Sequence, residues 1–298
     1  MLFETSFVVL LAASGAVAVS NCGTSDPSTE QIQLSSKIQT EFGTGRDKSN
    51  FALGDSDIKI NLYMHVVATD EKEAGGYLSA KDLDRQHEVL NNAFKRSNIS
   101  FDLVGKDWTV QQAWARNCDE LEMKRELRRG TYADLNLYFF PEIHCKNGTY
   151  YGSNSMLGYT SDFPWAVQPG SASEILDGVQ IRADTLPGGK MKKYNKGLTA
   201  VHEVGHWLGL FHTFSGGCSG EGDGIDDTPA EDLKLRLQYI SGDPMDCRVR
   251  DTCPLKSGGD PVDNYMTYSW DECYKKFTAG QAERMHSLWR AFRAKHQN

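Results

Sequence analysis

A chain of 298 residues, 39% hydrophobic and 24% charged, has enough apolar material for a globular domain with a real core, in one or two lobes. The formal net charge is -8, which gives no support to a nucleic-acid partner. Beyond the amino-terminal region no stretch approaches the ~18 apolar residues that cross a bilayer.

In chain order, residues 7–19 form an uncharged apolar run ending among small residues, Ala16, Ala18 and Ser20. That pattern predicts a signal peptide over 1–20 and a protein that is released rather than anchored. It departs from the usual form in carrying Glu4 and no Lys or Arg ahead of the run. Residues 21–56 are dominated by Ser, Thr, Gln, Gly and Asp. They read as a pro-segment, 21–50, and a linker outside the core, leaving 51–298 as the functional domain.

Residues 58–68 alternate Ile58, Ile60, Leu62, Met64 and Val66, which predicts a strand. Residues 79–96 open on Ser79 with Asp82 three positions on, then repeat apolar side chains at helical spacing. Further strands are predicted at 99–104, 133–140 and 178–183. A charged helix at 118–129 reads as a solvated face. The aromatic, Gly- and Ser-rich stretch 152–169 lacks periodicity and reads as a loop near the cleft. After residue 212 the chain turns Gly-rich and irregular, until a last helix over 278–295. Thr278 and Gln281 cap that helix, and Met285, Leu288, Trp289 and Phe292 form its apolar stripe. The order predicts an α/β (α+β) fold. An upper lobe with a twisted mixed sheet runs to about residue 212, and a loop-rich lower lobe spans 213–298.

Seven cysteines suit an oxidising compartment and leave one over. Cys22 is the isolated one, and the other six allow roughly 15 pairings. Asn98 and Asn147 open glycosylation acceptor triplets; an unmodified surface Asn gives the same letters.

The chemistry concentrates in His202-Glu203-Val204-Gly205-His206, continued by Gly209 and His212. His202 and His206 lie on one face of a helix. Glu203, rotated by about 100°, overhangs a bound ion without ligating it. Gly209 ends the helix at no steric cost, so that His212 turns back as a third ligand. Three nitrogen ligands with an open fourth position are the pattern of catalytic zinc. A helix whose histidines satisfy core polar groups is the bland alternative, and the added Gly209 and His212 argue against it.

This pattern resembles the metzincin signature, and Asn264-Tyr265-Met266-Thr267-Tyr268 resembles a Met-turn, with Met266 beneath the metal. Residues 202–214, Asp227-Thr228-Pro229 and Asn264-Tyr265-Met266 are similar to the pappalysin family, above all to its secreted fungal extracellular metalloproteases. The resemblance implies a metzincin-type domain that hydrolyses peptide bonds. Glu203 would act as general base and Tyr268 as donor to the oxyanion, and an exposed edge strand would pair with substrate. It also implies disulfides Cys218–Cys253 and Cys247–Cys273, leaving Cys118 with Cys145. Cys22-Gly23-Thr24 resembles a pro-segment motif whose cysteine occupies the fourth metal position and keeps the enzyme latent. Relatives can carry Ca²⁺ near Asp223, Asp226 and Asp227, although a solvated acidic turn has the same composition.

The expected partners are protein or peptide substrates cut by a secreted, monomeric zinc endopeptidase, without nucleic acid or membrane. Asp271 and Glu272, just past the Met-turn, suggest a taste for Lys or Arg after the scissile bond. Two other readings remain: a zinc hydrolase of non-peptide amides or esters, and an inactive zinc-stabilised binding protein.

Overall fold

The structure, a computed structural model, describes residues 22–42, 57–146, 149–150, 156–220 and 222–297. The expected signal peptide, the activation region near residue 50 and Asn147 lie outside these residues.

The alternating strand expected at 58–68 is β1 (Ile58–Ala68). Its apolar set, Ile58, Ile60, Leu62, Met64 and Val66, faces one core, and toward its carboxyl end the other face is buried too. Burial on both faces is the mark of a parallel strand covered by helices. β1 pairs in parallel with β2 (Ile99–Val110) and with β3 (Leu135–Phe140). β3 pairs in parallel with a later strand, β7 (Val179–Arg182). Between them the chain makes a two-stranded ribbon, β4 (Cys145–Lys146) with β5 (Thr149–Tyr150), and then β6 (Gly158–Thr160). β6 pairs antiparallel with β7 and closes the sheet order β2-β1-β3-β7-β6. The stretch 152–169 is therefore not wholly a loop. Three residues are too few to show alternation, yet they supply the sheet's edge.

One face of the sheet carries α2 (Ala80–Phe94), held at its start by the reciprocal Ser79–Asp82 capping box, together with α5 (Leu198–Trp207). Leu83, Leu90 and Phe94 meet Val201 and Val204 over β1 and β3 in the main core. Each such side chain contributes ~1.5–3 kcal/mol on burial. The other face is covered by α3 (Glu120–Leu127), beside the short α4 (Ala172–Leu176). The expected solvated helix is half right, because Glu120 and Lys124 are buried. Lys124 Nζ bonds Glu120 Oε1 at 2.8 Å, Ser161 Oγ at 2.8 Å and the Leu176 carbonyl at 2.5 Å. Only partners outside the helix make that burial tolerable, and a charged sequence alone does not reveal them.

The lower lobe holds α6 (Leu233–Tyr239) and α7 (Ala279–Leu288). α7 begins on the expected Thr278–Gln281 capping box and continues as a π turn to Arg293 and a 3₁₀ turn to His296. Arg293 then donates to Asp177 at 2.8 Å, and Trp207 at the end of α5 donates to the same carboxylate at 3.0 Å. The Arg293 guanidinium holds Asp177 below the usual carboxylate range against the opposing cost of burial. Disulfides join Cys118–Cys145, Cys218–Cys253 and Cys247–Cys273.

The amino-terminal segment is not the featureless linker its composition suggests. Thr29–Phe42 forms a helix, α1, with Ile38 and Ser35 buried. Gln39 accepts a hydrogen bond from Arg284 of α7 at 3.2 Å. A helix this polar shows little apolar stripe, so sequence periodicity passes over it.

Candidate metal centre

α5 begins after Gly197, runs through His202, Glu203 and His206, and stops at Trp207. Gly209 has φ +98°, and its N–H returns to the His206 carbonyl at 2.8 Å. A Cβ there would lie 2.1 Å from Leu288 Cδ1, so both backbone and packing demand glycine. The break sends the chain back, and His212 meets the helix pair. His206 Nε2 lies 3.1 Å from His202 Nε2 and 3.1 Å from His212 Nε2.

Backbone carbonyls fix two of these rings. His202 Nδ1 donates to the Tyr265 carbonyl at 2.7 Å and His206 Nδ1 to the Leu210 carbonyl at 2.7 Å. With the proton on Nδ1, each Nε2 presents a lone pair to the shared point. Burial brings His202 down to about 4 and His212 well below its ordinary value, so these two rings are neutral. Lone pairs converging at 3.1 Å do not bond one another, and a cation among them is the arrangement that satisfies them. The residues therefore fit a divalent ion taken up by imidazole nitrogens.

The Met-turn lies directly below. Met266 is fully buried, and its sulfur packs so close to Gly205 that a Cβ at 205 would sit 2.5 Å from it. The Met266 carbonyl accepts from Thr213 N at 3.2 Å, which ties the turn to the residue after His212. Tyr268 packs its ring 5.0 Å from that of His212. Burial keeps its phenol well above its usual pKa, so it stays a protonated donor.

The Cys22 segment occupies the same cleft. Among the described residues, Cys22, His202, His206 and His212 are the group whose ligand atoms lie within 4.8 Å of one another. Gly23 N donates to the Gly158 carbonyl at 2.8 Å, so the segment adds to the edge strand β6. Thr24 Oγ1 accepts from Thr160 N and donates to Glu203 Oε2, both at 2.9 Å. The Tyr268 hydroxyl donates to the Cys22 carbonyl at 3.3 Å. Burial and the Glu203 carboxylate push the Cys22 thiol up, so a positive ion is needed to hold it as thiolate.

The two acids past the Met-turn separate. Asp271 is buried in a small cavity shared with Leu198, His202, Glu203 and Tyr274, whereas Glu272 is exposed. Asp271 Oδ2 accepts from Lys196 N at 2.7 Å and Oδ1 has no hydrogen-bond partner. Burial raises this carboxyl to about 6. Asp227 lies close enough to Asp223 for its charge to help raise that carboxyl, but the loop acids differ in exposure. Asp223 is buried and accepts from Thr228 Oγ1 at 2.7 Å and Ile225 N at 3.0 Å. Asp227, which is exposed, accepts from Gly280 N at 2.9 Å, and Asp226 is exposed. Asn98 sits in a left-handed turn at φ +53° before β2, half-buried.

Sequence reasoning passed over Thr24, Glu231 and Arg236. Thr24 could have been found beside Cys22. Glu231 and Arg236 carry little local signal, because the groups they tie to the site, Thr267 and the Tyr268 carbonyl, lie more than thirty residues on.

Residues 153–289 match the family model described as pregnancy-associated plasma protein-A. An extracellular metalloprotease of Colletotrichum graminicola is 46% identical over 300 residues, covering all of both chains. One from Verticillium alfalfae is 42% identical over 99% of this chain and 100% of its own. Tannerella forsythia mature mirolysin in complex with a cleaved peptide aligns with TM-score 0.60 and 27% identity, over 82% of this chain and 99% of that one. A promirolysin variant aligns with TM-score 0.62 and 28% identity over 90% and 93%.

Proposed function

The chain belongs to the pregnancy-associated plasma protein-A family of metallopeptidases, the pappalysins, and from that premise we propose how its own residues cut a peptide bond. It is a metalloendopeptidase of the extracellular type. The observation that carries the mechanism is the meeting of three Nε2 atoms, the Glu203 carboxylate and the Tyr268 hydroxyl at one end of the edge strand.

His202, His206 and His212 would hold Zn²⁺, the ion best matched to a set of three imidazole nitrogens. When bound, zinc supplies Lewis-acid activation of water and polarises the scissile carbonyl. Glu203 takes the proton of the attacking water and passes a proton to the leaving amine. Tyr268 donates its O–H to the oxyanion that forms as the carbonyl carbon becomes tetrahedral. Extended substrate adds to β6 in the place that Cys22 and Gly23 occupy here.

The amino-terminal segment is read as a pro-segment. Cys22 would add its thiolate to the three imidazoles as a metal ligand and Thr24 holds the Glu203 carboxylate, so the cleft would not be free for substrate until the segment leaves. Asp271 rather than Glu272 is read as the acid that favours Lys or Arg after the scissile bond, because only Asp271 opens onto the cavity. Secretion follows from the extracellular relatives and the apolar residues 7–19, and glycosylation at Asn98 would accompany it. Among the described residues no helix is long and apolar enough to cross a membrane.

The relatives' names as proteases disfavour a non-peptide hydrolase. The inactive binding protein predicts a permanent fourth ligand, whereas Cys22 is carried on a segment docked over the cleft. The test is digestion of an unbiased peptide mixture by purified enzyme freed of residues 21–50, with and without chelator, read by mass spectrometry. Cleavage that disappears with the metal supports the reading, and absence of any cleavage refutes it.

A further inference from the structure

Behind the metal centre lies an ion pair, Glu231 and Arg236, with both side chains fully buried. Glu231 Oε1 accepts from the Thr213 hydroxyl and from the Thr267 hydroxyl, each at 2.5 Å. Its other oxygen accepts from Arg236 Nη1 at 3.2 Å. Arg236 Nη2 donates to the Tyr268 carbonyl at 2.8 Å, and Nη1 reaches Thr267 Oγ1 at 3.3 Å. One carboxylate therefore bridges the residue after His212 to the residue after Met266. One guanidinium holds the peptide plane from which the Tyr268 side chain leaves.

We propose that Glu231 and Arg236 are positioning residues that set the reach of the Tyr268 hydroxyl relative to the His212 side of the metal site. The inference rests on the reading of Tyr268 as the oxyanion donor. A buried ion pair is poor evidence of stabilisation, since apolar replacements of similar volume often fold as well or better. What apolar replacements cannot do is fix two backbone segments against each other through four directed hydrogen bonds. The donor must be held to ~0.5 Å for its hydroxyl to meet the oxyanion. The segment 267–269 is also held by the Tyr274 hydroxyl, which donates to the Thr267 carbonyl at 2.7 Å and accepts from Ser269 N at 3.0 Å. Ser269 N–H shares a peptide plane with the Tyr268 carbonyl, so Tyr274 and Arg236 hold that plane from its two sides, and Arg236 is the link from it to Glu231 and Thr213.

The test is the paired replacement Glu231→Leu with Arg236→Met in the mature enzyme, alone and combined with Tyr268→Phe. Thermal unfolding and zinc content establish that each variant is folded and loaded. The expected result is a fall in kcat of ~10–100-fold with KM within about twofold, since small misplacements cost rates of that order. In the Tyr268→Phe background the same pair should lower kcat by less than about threefold, because the group it positions is gone. Arg236→Lys keeps the charge beside Glu231 but loses the fork, and should show the same split if the paired variant does not fold. A folded, zinc-loaded variant with wild-type kcat overturns the proposal, and so does an equal loss with and without the Tyr268 hydroxyl. Wild-type kcat in Tyr268→Phe alone refutes the donor role instead, a result read separately from the pair.

Discussion

Thr24 Oγ1 donates a 2.9 Å hydrogen bond to Oε2 of Glu203, across 179 residues of chain. The carboxylate proposed as general base is thus engaged by the same three-residue segment whose cysteine lies among the three imidazoles. Latency then has two points of attachment. Cys22→Ala should give a pro-form with partial activity, and Cys22→Ala with Thr24→Val one approaching the activity of enzyme cleaved near residue 50. Peptide hydrolysis by uncleaved protein is the readout. Equal activity in wild-type and doubly substituted pro-forms would contradict a chemical latch.

The zinc helix was legible because its chemistry is written in local spacing: i and i+4 on one face, then a glycine where the helix must end. The mixed sheet follows from apolar strands separated by helical segments, although its strand order does not. Other features depend on partners far along the chain. Glu120 and Lys124 read as solvated until Ser161 and the Leu176 carbonyl are seen to cover them. β6 is three residues long and gains its identity from β7. α6 buries Arg236 alone, and only the Tyr268 carbonyl and Glu231 explain why an arginine goes inside. The acidic loop suggested one carboxylate cluster, whereas the fold sends Asp223 inward and Asp227 to Gly280.

Specificity should depend on pH through Asp271. Burial sets its carboxyl at about 6, so it is largely neutral at pH 5 and charged at pH 7.5. The preference for Arg over Leu after the scissile bond should therefore grow over that interval, on the order of tenfold for a charge-assisted bond. Ratios of kcat/KM for matched peptides at the two pH values measure it. Asp271→Asn should flatten the profile and Glu272→Gln should not. A profile that Asp271→Asn leaves intact would remove Asp271 from the pocket's chemistry.

Stability should carry the mark of Asp223. Burial raises its carboxyl to about 7, against ~3.9 in an unfolded chain. A raised folded pKa means that the folded form binds the proton more tightly. The corresponding stability is full below about pH 4 and is lost as pH rises through about 7. Tm should fall between pH 5 and pH 8, and Asp223→Asn, which keeps an acceptor for Thr228, should reduce that fall. Identical slopes in the two proteins would contradict it. Calcium at this loop would favour the charged form, so Ca²⁺ that lifts Tm at pH 8 in wild type but not in Asp223→Asn would support the calcium expectation.

On the proposed mechanism, Glu203 moves the protons of a reaction whose metal would be held by His202, His206 and His212. The most direct measurement is the turnover of mature, zinc-loaded Glu203→Gln on a peptide that the wild type cleaves. Glutamine keeps the shape of the side chain and leaves the three imidazoles untouched, but it cannot accept the water's proton. The expected result is wild-type zinc content and a kcat lower by ~10²–10⁴-fold, the usual contribution of a general acid–base group. A zinc-loaded Glu203→Gln enzyme turning over at near the wild-type rate would contradict it.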